Sequence, residues 1–93
     1  MDQLNGHRWV DPSLMAIPSY AVAAMPAALA RVENVMPVAL AGRVLTVAVE
    51  DPLDFELIDK VVFICNLQVE VVTASANAIR CAVARYYGEA SDT

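Results

Sequence analysis

Residues 43–72 read RVLTVAVEDPLDFELIDKVVFICNLQVEVV, and this stretch decides the fold. Val44, Leu45, Thr46, Val47 and Val49 are β-branched or aliphatic and lie between Arg43 and Glu50, which predicts a strand over 43–50. Asp51 then suits a helix cap, with Pro52 at the first helical position and Asp54 in the first turn. Leu53, Leu57, Ile58, Val61, Val62, Ile64 and Cys65 recur at helical spacing, which predicts a helix over 53–65. Phe55 and Phe63 widen that stripe, so cover on more than one side is expected. Asn66 is a natural stop, and Gln68–Val72 read as the next strand. A strand, a helix and a strand in this order form a right-handed parallel crossover.

The flanks extend the unit. Residues 35–40 form a strand that turns through Ala41-Gly42 into 43–50 as a hairpin. Pro18 and Pro26 each open a short helix, over 18–24 and 26–33, with a kink near Met25. Ser75 caps a last helix whose stripe is Ile79, Ala82, Val83 and Tyr86 and which ends at Gly88. The fold class is α/β (α+β): a two-layer sandwich of a three-stranded mixed sheet with short N-terminal helices, a crossover helix and a C-terminal helix. Val47 is expected on its buried face, with Ile58, Val62, Ile79 and Val83 pressing on the same sheet, and Thr46 on a less covered face. Residues 1–93 are read as a single domain with a core at 25–88, an N-terminal arm at 1–12 and a frayed tail at 89–93.

Composition excludes several classes. The hydrophobic fraction of 58% argues against disorder. A net charge of -5, with scattered basic residues, argues against nucleic acid. Residues 12–30 carry no charge, but Pro12, Pro18 and Pro26 interrupt them and alanine dominates, so no spanning segment is expected. Cys65 and Cys81 sit in apolar stripes and read as two buried, reduced and inert thiols. One histidine cannot complete a zinc site with them.

No catalytic constellation is written in the chain. Glycine stands only at 6, 42 and 88, so no phosphate-binding loop can be formed. Asp51, Asp54 and Asp59 are spread by helical spacing and suit a capped helix start better than a metal. His7, Arg8 and Trp9 read as an arm whose tryptophan packs on the core. No metal and no cofactor are expected.

The chain also carries an ordered set of short motifs: Met25-Pro26 and Leu29-Ala30, Val35-Met36-Pro37-Val38, Leu45-Thr46-Val47-Ala48 with Asp51-Pro52-Leu53-Asp54, and Ile79 and Val83 before Tyr86-Tyr87-Gly88. This set resembles the N-terminal domain of the type II secretion and type IV pilus assembly ATPases and covers about two-thirds of the chain. The resemblance implies a domain without chemistry of its own, which docks a motor or regulator onto a cytoplasmic partner at the inner membrane. It implies a bacterial, cytoplasmic protein that is peripheral at the membrane only through that partner. The motor's phosphate loop and the zinc-binding cysteine quartet of longer relatives are absent here. Some relatives carry two arginine-led R-L-G motifs that bind cyclic di-GMP; no such triplet occurs, and Gln3-Leu4 resembles only the end of the second. Nucleotide binding is therefore not expected, and a cyclic-dinucleotide or nucleotide sensor, drawing on Arg8, Arg31 and Arg43, is the alternative. The candidate partner surface is Glu50, Asp54, Glu56 and Asp59 with an open strand edge, and Arg80 and Arg85 nearby.

Overall fold

The computed structural model describes residues 8–88. The expectations placed on Gln3-Leu4, His7 and the tail 89–93 lie outside the described residues. A 3-10 turn at Pro12–Leu14 leads into α1 (Ser19–Ala23) and α2 (Ala27–Glu33). β1 (Met36–Ala41), β2 (Val44–Val49), α3 (Phe55–Cys65), β3 (Gln68–Thr73) and α4 (Ala76–Tyr87) follow. β2 lies between β1 and β3, antiparallel to the first and parallel to the second. The expected three-stranded mixed sheet, its crossover helix and the α+β class are all present.

Local details differ from the expectation where turn chemistry decides. Ala41 pairs with Val44, so the hairpin loop is Gly42-Arg43 and not Ala41-Gly42. Gly42 has φ +60 and Arg43 does not share the positive φ. A two-residue loop of that kind wants glycine first, and its twist matches the strands. The cap of α3 also moves. Asp54, not Asp51, is its N-cap, accepting from the Leu57 N–H at 3.2 Å. Asp51 instead accepts from the Leu53 N–H at 2.9 Å and holds a turn before the helix. Asn66, at φ 58, ends α3 as expected, and Asn34, at φ 56, ends α2. Ser75 caps α4 through the Ala78 N–H at 3.1 Å.

Register sorts the sheet into two faces. Leu45, Val47 and Val49 are fully buried on one face. On the other, Val44 and Thr46 are half-buried and their neighbours Ala39, Ala41, Gln68 and Glu70 are exposed. That face closes only at its far end, where Met36, Ala48 and Val72 are buried. Ile79, Ala82 and Val83 of α4 join the core as expected, together with Met25, Leu29 and Val35.

The expected role of Val62 fails. Val61 is the buried valine of α3, Ile58 is half-buried, and Val62 is 39% exposed. The expected cover on several sides fails with it: Val61 is the one fully buried residue of the helix. Trp9 does not pack on the core either. Its backbone bridges Thr73 in parallel, and its ring is 72% exposed. Thr73 donates to Arg8 O at 2.6 Å and accepts from the Val10 N–H at 2.9 Å, so the arm extends one end of the β3 edge. The expected burial of both thiols fails: Cys81 is exposed and Cys65 is only partly covered, and both are free.

Val47→Asp places an unpaired carboxylate in the dry face of β2. The cost is several kcal/mol against a total stability of about 5–10 kcal/mol. Loss of cooperative thermal unfolding, or of soluble expression, is the expected result. Thr46→Lys lies on the open face beside Glu70, its register partner on β3, and should melt within a few degrees of the parent. Equal melting of both variants would contradict the register.

Candidate functional site

α3 has two unlike sides. Leu57, Val61 and Cys65 follow one another four residues apart and turn toward the core. Phe55, Asp59 and Phe63 have the same spacing and form the opposite ridge. Phe55 is 64% and Phe63 86% exposed, and Val62, on the same side of the helix, and Leu53, in its lead-in, add exposed apolar surface. Large apolar side chains gathered on one exposed helix mark an interaction surface more often than chance exposure does.

The charges around this ridge are mostly acidic. Asp59 lies between the two phenylalanines, and Glu56 stands alongside. Lys60, the helix's basic residue, is engaged: its Nζ meets Glu33 Oε2 of α2 at 2.6 Å. The Glu33 hydrogen bond and charge hold the Lys60 ammonium above its ordinary pKa, with smaller help from Glu56 and Asp54. Glu33, Asp54, Glu56, Leu57 and Lys60 line a shallow open depression.

The structure scatters the rest of the expected surface. Glu50 is exposed at the end of β2. Arg80 donates to Asn77 Oδ1 on its own helix at 3.1 Å. Arg85 donates to Ser13 O at 3.0 Å and lies 5.4 Å over the Tyr86 ring. Arg43 donates to Asn66 O at 2.7 Å, and Arg31 to Tyr87 O at 2.7 Å. Arg31 and Arg85 thus serve the end of α4, while Arg43 and Arg80 are engaged elsewhere. Among the described residues no three His, Cys, Asp or Glu side chains gather as metal ligands.

Sequence reasoning placed the two tyrosines but not their work. Tyr86 Oη donates to Met15 O at 2.7 Å and accepts from the Ile17 N–H at 3.0 Å. Tyr87 Oη donates to Val22 O at 2.7 Å. With Arg31 on its last carbonyls, the end of α4 is tied to the 3-10 turn region, α1 and α2. Two adjacent tyrosines before a helix-ending glycine were the available signal. Gly88, at φ 75 and ψ 174, takes a conformation that favours glycine strongly.

Residues 5–93 match the MshEN domain family. The chain belongs to this family. Among solved structures, the MshEN domain here is similar to MshE with cdg (cyclic di-GMP), at a TM-score of 0.79 and 23% identity over 89% of this chain and 60% of that one. It is similar to the N-terminal domain of XpsE in two crystal forms. One has a TM-score of 0.76 at 20% identity, the other 0.77 at 22%, each over 90% of this chain and 60% of that one. At these identities the likeness shows the fold, and the MshEN domain spans about 60% of the length of those chains. A comparison with curated proteins finds no match. The resemblance to the N-terminal domain of secretion and pilus assembly ATPases is thereby borne out. No helix of the described residues is long and apolar enough to cross a membrane.

The tyrosine ties carry a pH signature. Burial, with a smaller effect of nearby Cys65, pushes the Tyr87 hydroxyl up to about 12. An unfolded tyrosine ionises at about 10. The folded state therefore holds this proton more tightly, and its contribution is full below pH ~10 and lost as pH rises toward ~12. Chemical denaturation across that window should show stability falling with pH. Tyr87→Phe should lose about 1 kcal/mol at neutral pH and flatten the alkaline slope. An unchanged slope in the variant would contradict the assignment.

Proposed function

We propose that this MshEN domain is a non-catalytic docking module that couples a motor or regulator to a cytoplasmic protein of a secretion or pilus assembly platform at the inner membrane. The observation that carries this reading is the outer side of α3, where two exposed phenylalanines stand among carboxylates. Asp54, Glu56 and Asp59 belong to that surface, with Glu50, Arg80 and Arg85 at more distant places around it. The strand edges are poorer templates than the helix. One end of the β3 edge already pairs with Arg8–Val10, and the β1 edge includes Pro37, which lacks an N–H. Affinity capture with the immobilised chain should retain platform proteins of the secretion or pilus type. Failure to retain any would contradict the docking role.

A sensor of cyclic dinucleotides is the second reading, favoured by the likeness to MshE with cdg. Against it, Arg31 and Arg43 are held by backbone carbonyls of different elements. Calorimetry should find cyclic di-GMP binding weak or absent, and a sub-micromolar dissociation constant at physiological salt would promote this reading over docking. ATP should bind no better than millimolar and should not be hydrolysed, for want of a phosphate loop. Micromolar ATP binding would contradict that expectation.

A further inference from the structure

We infer that the ridge Phe55–Asp59–Phe63 receives a basic amphipathic helix of the partner, an inference that rests on the docking reading above. The decisive residue is Asp59. Any occupant that covers both phenylalanines also covers the carboxylate between them. A carboxylate removed from water without a counter-charge is strongly disfavoured. The occupant must therefore bring a lysine or arginine to the centre of its apolar stripe, against Asp59 and within reach of Glu56. Lys60 does not neutralise Asp59, because it is engaged by Glu33 across to α2.

The same charges exclude other occupants. A second copy of the chain would bring Asp59 and Glu56 against their own kind, on a molecule of net charge -5. An anionic lipid surface meets the same repulsion. An extended peptide gains its affinity from an open strand edge, which α3 does not offer. A helix fits, because side chains four residues apart form a ridge that interdigitates with the matching rows of a second helix. The apolar neighbours Val62 and Leu53 extend the contact on the same helix and its lead-in.

The probe is a capped Lys/Leu peptide of about 18 residues, long enough to hold a helix on contact, with leucines at i, i+3, i+4 and i+7. Its twin carries glutamate in place of every lysine. Amide NMR shifts of the labelled chain should change along 55–65 with the lysine peptide and not with the twin. Added salt should weaken the binding. Phe63→Ser and Asp59→Lys each change an exposed side chain, so both should melt like the parent, and each should weaken the lysine peptide by about tenfold or more. Asp59→Lys should also gain binding to the glutamate twin. Shifts confined to another surface, equal binding of both peptides, or no effect of either variant would overturn the inference. So would a dimer of the parent, seen in sedimentation and dispersed by Phe63→Ser. Capture of platform proteins that survives both variants leaves the docking reading standing and removes this one. Capture that fails in the parent removes the docking reading itself.

Discussion

β2 is the constraint on which the structure depends. It is the central strand, paired along its length with β1 on one side and β3 on the other, and Leu45, Val47 and Val49 on it must be kept dry. The described residues offer four α-helices and one 3-10 turn with which to do this. The far end of the opposite face is closed around Ala48, while the hairpin end, at Val44 and Thr46, stays partly open. α3 contributes one fully buried residue, Val61, and turns its phenylalanines outward. The exposed ridge thus follows from using the crossover helix to connect two parallel strands with few side chains committed to the core.

The two ends of the helical framework behave differently. At the end of α4, Tyr86, Tyr87, Arg31 and Arg85 join four separate parts of the chain through backbone carbonyls. That region is locked by its polar contacts, and Arg85 serves it. α3 is held by its apolar inner side and by the Lys60–Glu33 pair, an exposed bridge of modest worth. A frame tied by these contacts beside a helix face with few core commitments suits the docking reading.

Much of this was legible in the sequence. Strand, helix and strand over 43–72 follow from β-branched alternation, helical spacing and Asn66, all strong local signals. The caps were less legible: Asp51 and Asp54 are both suited to capping, and only the backbone decides that Asp54 starts the helix. Val61 and Val62 are adjacent and equally apolar, so a shift of one residue in the assumed helix face exchanges the buried valine for the exposed one. The ridge itself is hidden in the sequence for a similar reason. Phe55 and Phe63 look like core residues in composition, and among the described residues no element covers them. Trp9 departs from the expected packing for a related reason: its backbone pairs with Thr73 while its side chain remains outside. The hydroxyl partners of Tyr86 and Tyr87 lie about seventy residues away in the chain, beyond the reach of any local pattern.

The docking proposal requires the α3 ridge to be bare in the isolated domain and covered when a partner is bound. The chain has two phenylalanines, Phe55 and Phe63, both on that ridge. Incorporation of 4-fluorophenylalanine therefore gives a two-line fluorine NMR spectrum that reports on nothing else. Both lines should show a full solvent isotope shift between H2O and D2O in the free domain, and both should move and lose that shift when a captured platform protein is added. Lines already shielded in the free domain, or unchanged in the complex, would contradict the account.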